Sequence, residues 1–357
     1  MAQRFRHVDA ERTIVFGPGA LEAADVLLGS GYALLTTARA GAQAPELAER
    51  ASAVIDVPDG LVEVVAAELR GNVEGPRLVA LGGGRVIDVA KALAAADGPR
   101  DVLAVPTSLS AAEMTGVHRH ATGVPAETPR VRPRVVVNDP ALSASQPPHQ
   151  LAASTANALG HATVALLSDR STPIARAVAR DAIASLVGGW TQSEPTAAAA
   201  ALHGRDEPDR PALALGALLA GWAVDHSGLG PHHALAQTAV RTTGIAHAHA
   251  NAALLPATIA AARRRRPAEL ERLDAALGTP LEAFAETLRD RAGAGGLGAP
   301  RQLDRAGADG LGDPQLLDRL VEAAAQRAEL GRISPPPDRD EIRAIYVTAA
   351  RPAAPAS

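Results

Sequence analysis

The 357 residues exceed what one hydrophobic core usually supports, so the chain predicts two domains and a ligand cleft. A net charge of −4 argues against a nucleic-acid partner, and the lack of any cysteine excludes disulfides, thiolate catalysis and Cys-ligated zinc, leaving His, Asp, Glu or Asn for any metal. No long apolar run is free of charges and the N-terminal MAQRFRHVDAERT has no apolar core, so the expectation is a cytoplasmic protein with neither a membrane partner nor a signal segment.

Along residues 1–146, short β-branched or apolar runs alternate with Ala-rich helical stretches. Tyr32–Thr37, Ala53–Val57, Leu78–Leu81, Val102–Val105 and Val135–Val137 are the predicted strands. Such alternation predicts an α/β domain with a parallel, Rossmann-like sheet. From Pro147 the pattern changes, and residues 147–357 read as an all-helical domain with helices at Gln150–Leu167, Ile174–Val187, Pro211–His226 and Gln315–Leu330. A further helical segment, Pro256–Arg266, ends in the dense basic run Arg263–Arg266, read as a solvated helix end. Arg291–Pro314 is rich in Gly, Asp, Pro and Arg and predicts an irregular connection; its two near copies of AGxxGLGxP read as loop composition, and Arg351–Ser357 as a frayed tail.

Within the first domain, Arg77-Leu-Val-Ala-Leu-Gly-Gly-Gly-Arg-Val-Ile-Asp-Val-Ala-Lys91 is a strand, a triple-glycine turn and a helix start. Glycines let the backbone approach an anion, and the N–H groups of the helix terminus point at it. Read alone, the turn is equally a tight strand-to-helix connection. It gains meaning from Asp88 and Lys91 on the first helical turns and from a following strand that ends in Pro106-Thr-Ser-Leu-Ser-Ala-Ala-Glu-Met-Thr115, where Thr107, Ser108 and Thr115 add hydroxyls at the same sheet edge. Lys91 is the one lysine among 35 basic residues, which invites a chemical explanation beside chance.

In the second domain, Asn157 and His161 fall at i and i+4 on one helix face. His233 follows 72 residues after His161, and His247 comes 14 residues after that. Five of the 11 histidines lie between His226 and His249, a density that favours a site over packed core residues.

These motifs resemble the iron-containing alcohol dehydrogenases, whose forms are GGGSxxDxxK, PTTxxxGSE, and DxxxH followed by HxxxH and a further histidine. The EMT ending at Thr115 and the Asn at 157 look like the maleylacetate reductases of that superfamily. Phe16-Gly-Pro-Gly-Ala20, Asn138-Asp-Pro140, Asn251-Ala-Ala-Leu-Leu-Pro256 and Pro337–Arg343 extend the likeness over almost the whole chain. The resemblance implies the dehydroquinate synthase-like fold of this superfamily. It also implies that Gly82, Gly83 and Gly84 hold the pyrophosphate of NADH or NADPH, that Thr107 and Ser108 lie near the adenosine and phosphates, and that Asp88, Lys91 and Thr115 stand at the cofactor. His161, His233 and His247 match the three histidine ligands of a zinc or iron ion, and Asn157 matches the carboxylate ligand. An amide there removes a negative charge and predicts weak metal binding.

Other positions depart from the family pattern. Gln237 replaces a histidine of the HxxxH pair and positions substrate without exchanging protons, which passes that task to His226, His249 or, first, His232, part of a His-His pair similar to that of the maleylacetate reductases. Arg85 replaces Ser, and either adds a phosphate contact or crowds the cofactor; Ala111-Ala112 replaces Gly-Ser. Thr36-Thr37-Ala38-Arg39 carries no acid for a ribose 2′-OH and leaves NAD and NADP equally open. The expected function is hydride transfer from NAD(P)H to an unsaturated or oxo dicarboxylic acid in the inter-domain cleft of a homodimer, with His232, His233, His247 and Gln237 catalytic and Arg85 and Arg241 assisting anion binding. The departures keep open a non-redox lyase, isomerase or cyclase, or an inactive binding protein, on the same fold.

Overall fold

A computed structural model describes residues 5–9, 12–144, 146–191, 208–294 and 314–350. The near-copy glycine motifs and the tail at 351–357 lie outside the described residues. The chain forms two compact units, Met1–Gln146 with Gly188–Asp225, and Pro147–Val187 with His226–Ser357.

The first unit is built on a seven-stranded sheet in the order β1-β2-β7-β6-β5-β3-β4. The strands are β1 (Phe5–Asp9), β2 (Arg12–Phe16), β3 (Ala33–Thr36), β4 (Ala53–Asp56), β5 (Arg77–Gly82), β6 (Asp101–Pro106) and β7 (Val135–Asn138). All neighbours run parallel except the β1–β2 hairpin. The predicted strands all occur. The hairpin was not predicted, because Arg6, His7, Asp9, Arg12 and Thr13 interrupt any apolar run there. Central strand β5 is an unbroken buried run, Leu78 to Leu81, as expected of a parallel strand covered on both faces. One core lies on each face: Leu35, Val65, Ile87 and Leu93 on one, Leu28, Tyr32, Leu47 and Val105 on the other.

Helices of eight or more residues are numbered here in chain order. The first two are α1 (Val62–Leu69) and α2 (Gly84–Asp97). Then follow α3 (Pro148–Leu167), α4 (Pro173–Thr191), α5 (Arg210–Ser227), α6 (Pro231–Thr243), α7 (His247–Arg265), α8 (Pro267–Leu277), α9 (Leu281–Arg291), α10 (Pro314–Ala325) and α11 (Arg339–Ala349). No single helix among the described residues is long and apolar enough to cross a membrane.

Residues 188–191 and 208–225 group with the first unit, whereas the sequence reading ran one domain over 147–357. The reason is local: Asp225 accepts from the Gly116 N–H at 2.9 Å and pairs with Arg132 at 2.7 Å, while Arg210 donates to the carbonyls of Ser143 and Gln146. Composition cannot reveal this, because the Ala/Leu pattern of α5 is the same as that of the helices in the second unit.

The second unit is centred on α3, which is buried on every side from Thr155 to Leu167. Helix α7 begins at His247 and runs through Pro256, so the predicted Pro256–Arg266 segment is its second half. The predicted Gln315–Leu330 helix stops at Ala325 and gives way to a 3-10 turn over Ala328–Arg332. The basic run at the end of α7 is not merely solvated. Arg263 pairs with Glu282 and Asp274, Arg264 and Arg265 both engage Glu341, and Arg266 engages Asp169, so four guanidinium groups tie the end of α7 to α8, α9, α11 and the loop after α3. Their charge also suits a helix C-terminus.

Candidate active site

In the first unit, the turn after β5 and the loop after β6 lie side by side, the Thr107 N–H donating to the Gly82 carbonyl at 3.0 Å. Two glycines of the turn keep the loops close. A Cβ on Gly83 would stand 3.1 Å from the Ser108 Oγ, and one on Gly84 would meet the Ser110 Cβ at 2.9 Å. The 14-residue helix α2 starts directly from this turn, with its first N–H groups exposed to whatever the glycines admit. The Thr107 hydroxyl is buried with no hydrogen-bond partner. A glycine cradle, a helix N-terminus and an unused hydroxyl together fit the diphosphate of a dinucleotide. Ser108 is half-buried beside the turn and Thr115 is buried.

Lys91 departs from its expected role. Its side chain is completely buried, and its ammonium donates to Asp88 Oδ1 at 2.7 Å, the Ala112 carbonyl at 2.9 Å and the Val117 carbonyl at 2.8 Å. Three protons meet three protein acceptors, so none is left for a phosphate. Lys91 pins the 112–117 loop, and Asp88 is its counter-charge. Arg85 pairs with the exposed Asp59 at 2.6 Å, a solvent-screened contact that leaves it at the rim of the turn.

Ala111 is the one non-glycine residue with positive φ among the described residues, at 62°. The family has glycine there, and the backbone keeps the glycine conformation; the left-handed shape costs an alanine roughly 1–2 kcal/mol. Gly221 leaves the room for its methyl group, since a Cβ at 221 would stand 2.8 Å from it. The Ala111 departure therefore preserves the loop.

Glu113, the first residue of the EMT motif, carries no sequence signal of its own, yet it is buried beside the loop. Its carboxyl is buried, and burial pushes its pKa up from 4.5 to about 7, against the lowering effect of its backbone hydrogen bond and of Lys91. Its Oε2 has no partner.

In the second unit, α3 carries Asn157 and His161, α6 carries His232, His233 and Gln237, and α7 starts with His247. The His161 and His233 rings stack at 4.2 Å with planes 5° apart, and His232 meets His233 edge to face at 5.0 Å. All three are buried. Burial lowers the pKa of His161 to about 3 and that of His232 to about 4 and holds that of His233 well below the usual imidazole value, with mutual repulsion in the same direction. They are therefore neutral near pH 7. Each then carries one N–H, and His161 Nδ1 and both His233 nitrogens have no hydrogen-bond partner. His247 is exposed at the start of α7 but close enough to repel protons from all three. His232 shares its Nδ1 with the Thr258 hydroxyl at 2.9 Å. Its lowered pKa keeps the ring neutral near pH 7.

Gln237, one turn beyond His233, accepts from Arg327 Nη2 at 2.8 Å, and Arg327 is itself held by Glu329 at 2.7 Å. Nothing in the sequence singled out Arg327. Arg241, expected to help bind anions, is exposed near the end of α6.

The expected metal set can be tested on ring geometry. An ion bound to a histidine lies in the plane of the ring, about 2.0–2.1 Å from nitrogen. The planes of His161 and His233, 5° from parallel and stacked at 4.2 Å, meet only far from either ring, so the two cannot share one ion as they stand. Asn157 adds no charge. Among the described residues no group of three or more His, Asp or Glu side chains converges for a metal. These residues do not fit a tightly held ion.

Residues 151–350 match the Fe-containing alcohol dehydrogenase family, C-terminal domain. Among curated proteins, the chain is 33% identical over 231 residues to maleylacetate reductase 2 of Cupriavidus pinatubonensis, covering 64% of this chain and 62% of that protein. It is 31% identical over 283 residues to maleylacetate reductase of Sphingobium indicum, covering 74% and 77% respectively. Among solved structures, maleylacetate reductase from a Rhizobium species superposes with a TM-score of 0.74 at 26% identity, covering 99% of this chain and 100% of that one. The non-redox alternative is not favoured by these relatives.

Proposed function

We propose that this chain, which belongs to the Fe-containing alcohol dehydrogenase family, reduces a small oxo or unsaturated dicarboxylic acid of the maleylacetate type. It is an NAD(P)-dependent oxidoreductase. The glycine turn at 82–84, the α2 N-terminus and the Thr107 hydroxyl would hold the nucleotide diphosphate, and the bound nicotinamide supplies hydride. The observation that carries the substrate side of the reading is the His161–His233 pair, two buried neutral imidazoles with ring nitrogens left unpartnered. Neutral imidazole offers an N–H to a carboxylate or carbonyl oxygen. Gln237, held by Arg327, extends the same row of donors one turn further along α6. Because the imidazoles are neutral before substrate arrives, a bound carboxylate would draw a proton onto one of them, so binding of the anion and uptake of a proton are coupled.

The test uses purified protein with NADH and NADPH. Nucleotide at about 100 times its dissociation constant should add roughly 2.7 kcal/mol of stability. With maleylacetate as substrate, His233→Ala and His247→Ala should each lower kcat/KM by at least about 100-fold while folding is retained. No thermal shift with either nucleotide, or full turnover by both variants, overturns the reading.

A further inference from the structure

Strands β5, β3 and β4 are consecutive in the sheet and parallel, so the loops that leave their C-terminal ends emerge along one edge of the first unit. The loop after β5 is the glycine turn. The middle one, after β3, begins Thr37-Ala38-Arg39 and winds into a single helical turn over Ala38–Gly41. The pairing of β3 with β4 holds up to this point, since the Val57 N–H donates to the Thr36 carbonyl at 2.8 Å. Arg85, in the first turn of α2, pairs with Asp59, which follows β4, at 2.6 Å. Because β3 lies between β5 and β4, this ion pair spans the end of β3, where Arg39 stands.

A dinucleotide makes that end of β3 important. With the diphosphate on the glycine turn, the adenosine ribose reaches the end of a neighbouring strand, where an acid binds the 2′-OH of NADH and an arginine accommodates the 2′-phosphate of NADPH. On the β6 side the turn is closed by Ser108 and Ser110, which stand against Gly83 and Gly84. On the β3 side there is no acid from Thr36 to Ala44. The Thr36 hydroxyl donates to the Leu81 carbonyl at 2.9 Å, and that of Thr37 caps the helical turn by accepting from the Ala40 N–H.

What this edge offers instead is positive charge. Arg39 is exposed and makes no hydrogen bond or ion pair with any described residue. Arg85 spends Nη1 on Asp59, and its Nε is buried with no partner. Asp59 is exposed, so its hold on Arg85 is weak and yields to a more highly charged anion.

Resting on the dinucleotide reading above, we propose that the chain selects NADPH over NADH, the 2′-phosphate being taken by Arg39 and Arg85 at the end of β3. Arg39 supplies an unengaged guanidinium, and Arg85 exchanges the Asp59 carboxylate for a phosphate oxygen. Asp59 is then a competitor of the phosphate. A 2′-OH carries no charge with which to displace Asp59, and it is a weaker acceptor for either guanidinium. The arginine at 85, where the family pattern has serine, gains a use.

NADPH and NADH are titrated into the full chain and followed by nicotinamide fluorescence and calorimetry. NADPH should bind about tenfold more tightly, and the advantage should shrink between about 0.1 M and about 1 M salt, because exposed charges are screened. Arg39→Ala should weaken NADPH about tenfold and NADH by less than about twofold, and Arg39→Asp should reverse the preference. Asp59→Asn, which frees Arg85, should tighten NADPH about threefold without a matching gain for NADH. Both positions are exposed, so the fold survives these changes. Equal affinity for the two nucleotides, or a loss in Arg39→Ala that falls on both alike, overturns the selection and leaves the reductase reading standing. Binding of neither nucleotide overturns the reductase reading itself, and the selection with it.

Discussion

Lys91 and His233 are both hidden from solvent, the first completely and the second to within 2%, yet their surroundings answer their polar atoms in opposite ways. The ammonium of Lys91 meets three acceptors. The two nitrogens of His233 meet none. Burial of an unpartnered polar group costs on the order of 1–3 kcal/mol, so native proteins keep few of them. A saturated buried cation reads as structure; an unsaturated buried imidazole is what the proposed substrate role of His233 requires. The difference separates the loop-pinning lysine of the first unit from the histidine row of the second, although both looked equally chemical in the sequence.

The largest expected effect tests the saturated side. Lys91→Met keeps the side-chain volume but takes the donor away from the Ala112 and Val117 carbonyls and one ion-pair partner from Asp88, and should cost about 3–5 kcal/mol of unfolding free energy. Urea unfolding followed by far-UV circular dichroism measures it. Unchanged stability combined with a selective loss of nucleotide affinity would return Lys91 to the cofactor.

A second test uses the opposite signs of ionisation in the two units. Glu113 has its folded pKa raised from 4.5 to about 7, so the stability it permits is complete below pH 4.5 and is lost as pH rises through 7. His161 and His232 have theirs lowered from 6.5 to about 3 and about 4, so their contribution is complete above pH 6.5 and is lost as pH falls towards 4 and 3. Glu113→Gln should therefore match the parent at pH 4.5 and exceed it at pH 8 by roughly 3 kcal/mol. An advantage of the same size at both pH values would show that the carboxyl ionises normally.

Much of the architecture was legible. The strand, glycine-turn and helix succession at 77–91 needed only periodicity, and the Asn157, His161, His233 and His247 spacing named the helices of the site. The rest depended on contacts that no spacing encodes. Whether Lys91 meets a phosphate or three carbonyls is decided by where the 112–117 loop passes. That Ala111 adopts a glycine conformation is visible only in its backbone angle, and its tolerance depends on Gly221, 110 positions away in the chain. Arg327 reaches Gln237 across 90 positions. The β1–β2 hairpin escaped because its polar residues hide a strand that pairs with β7 on its other edge.

The smallest effect concerns metal, where the family pattern and the ring geometry point in different directions. If the loss of charge at Asn157 alone explained weak binding, Asn157→Asp would restore a strong site, because a carboxylate is a far better ligand than an amide for a divalent ion. The stacked His161 and His233 rings give the opposite expectation: a carboxylate added beside them still leaves no point lying in both ring planes. Zinc affinity measured by equilibrium dialysis should then rise by less than about tenfold, roughly 1.4 kcal/mol. Both the parent and the variant should carry well under one equivalent after purification without added metal. Dialysis reads the site directly. One equivalent that resists chelator in the variant would mean that the rings turn to meet the ion. In that case the unpartnered nitrogens of His233 are metal ligands in reserve, and the contrast with Lys91 concerns coordination chemistry instead of substrate recognition.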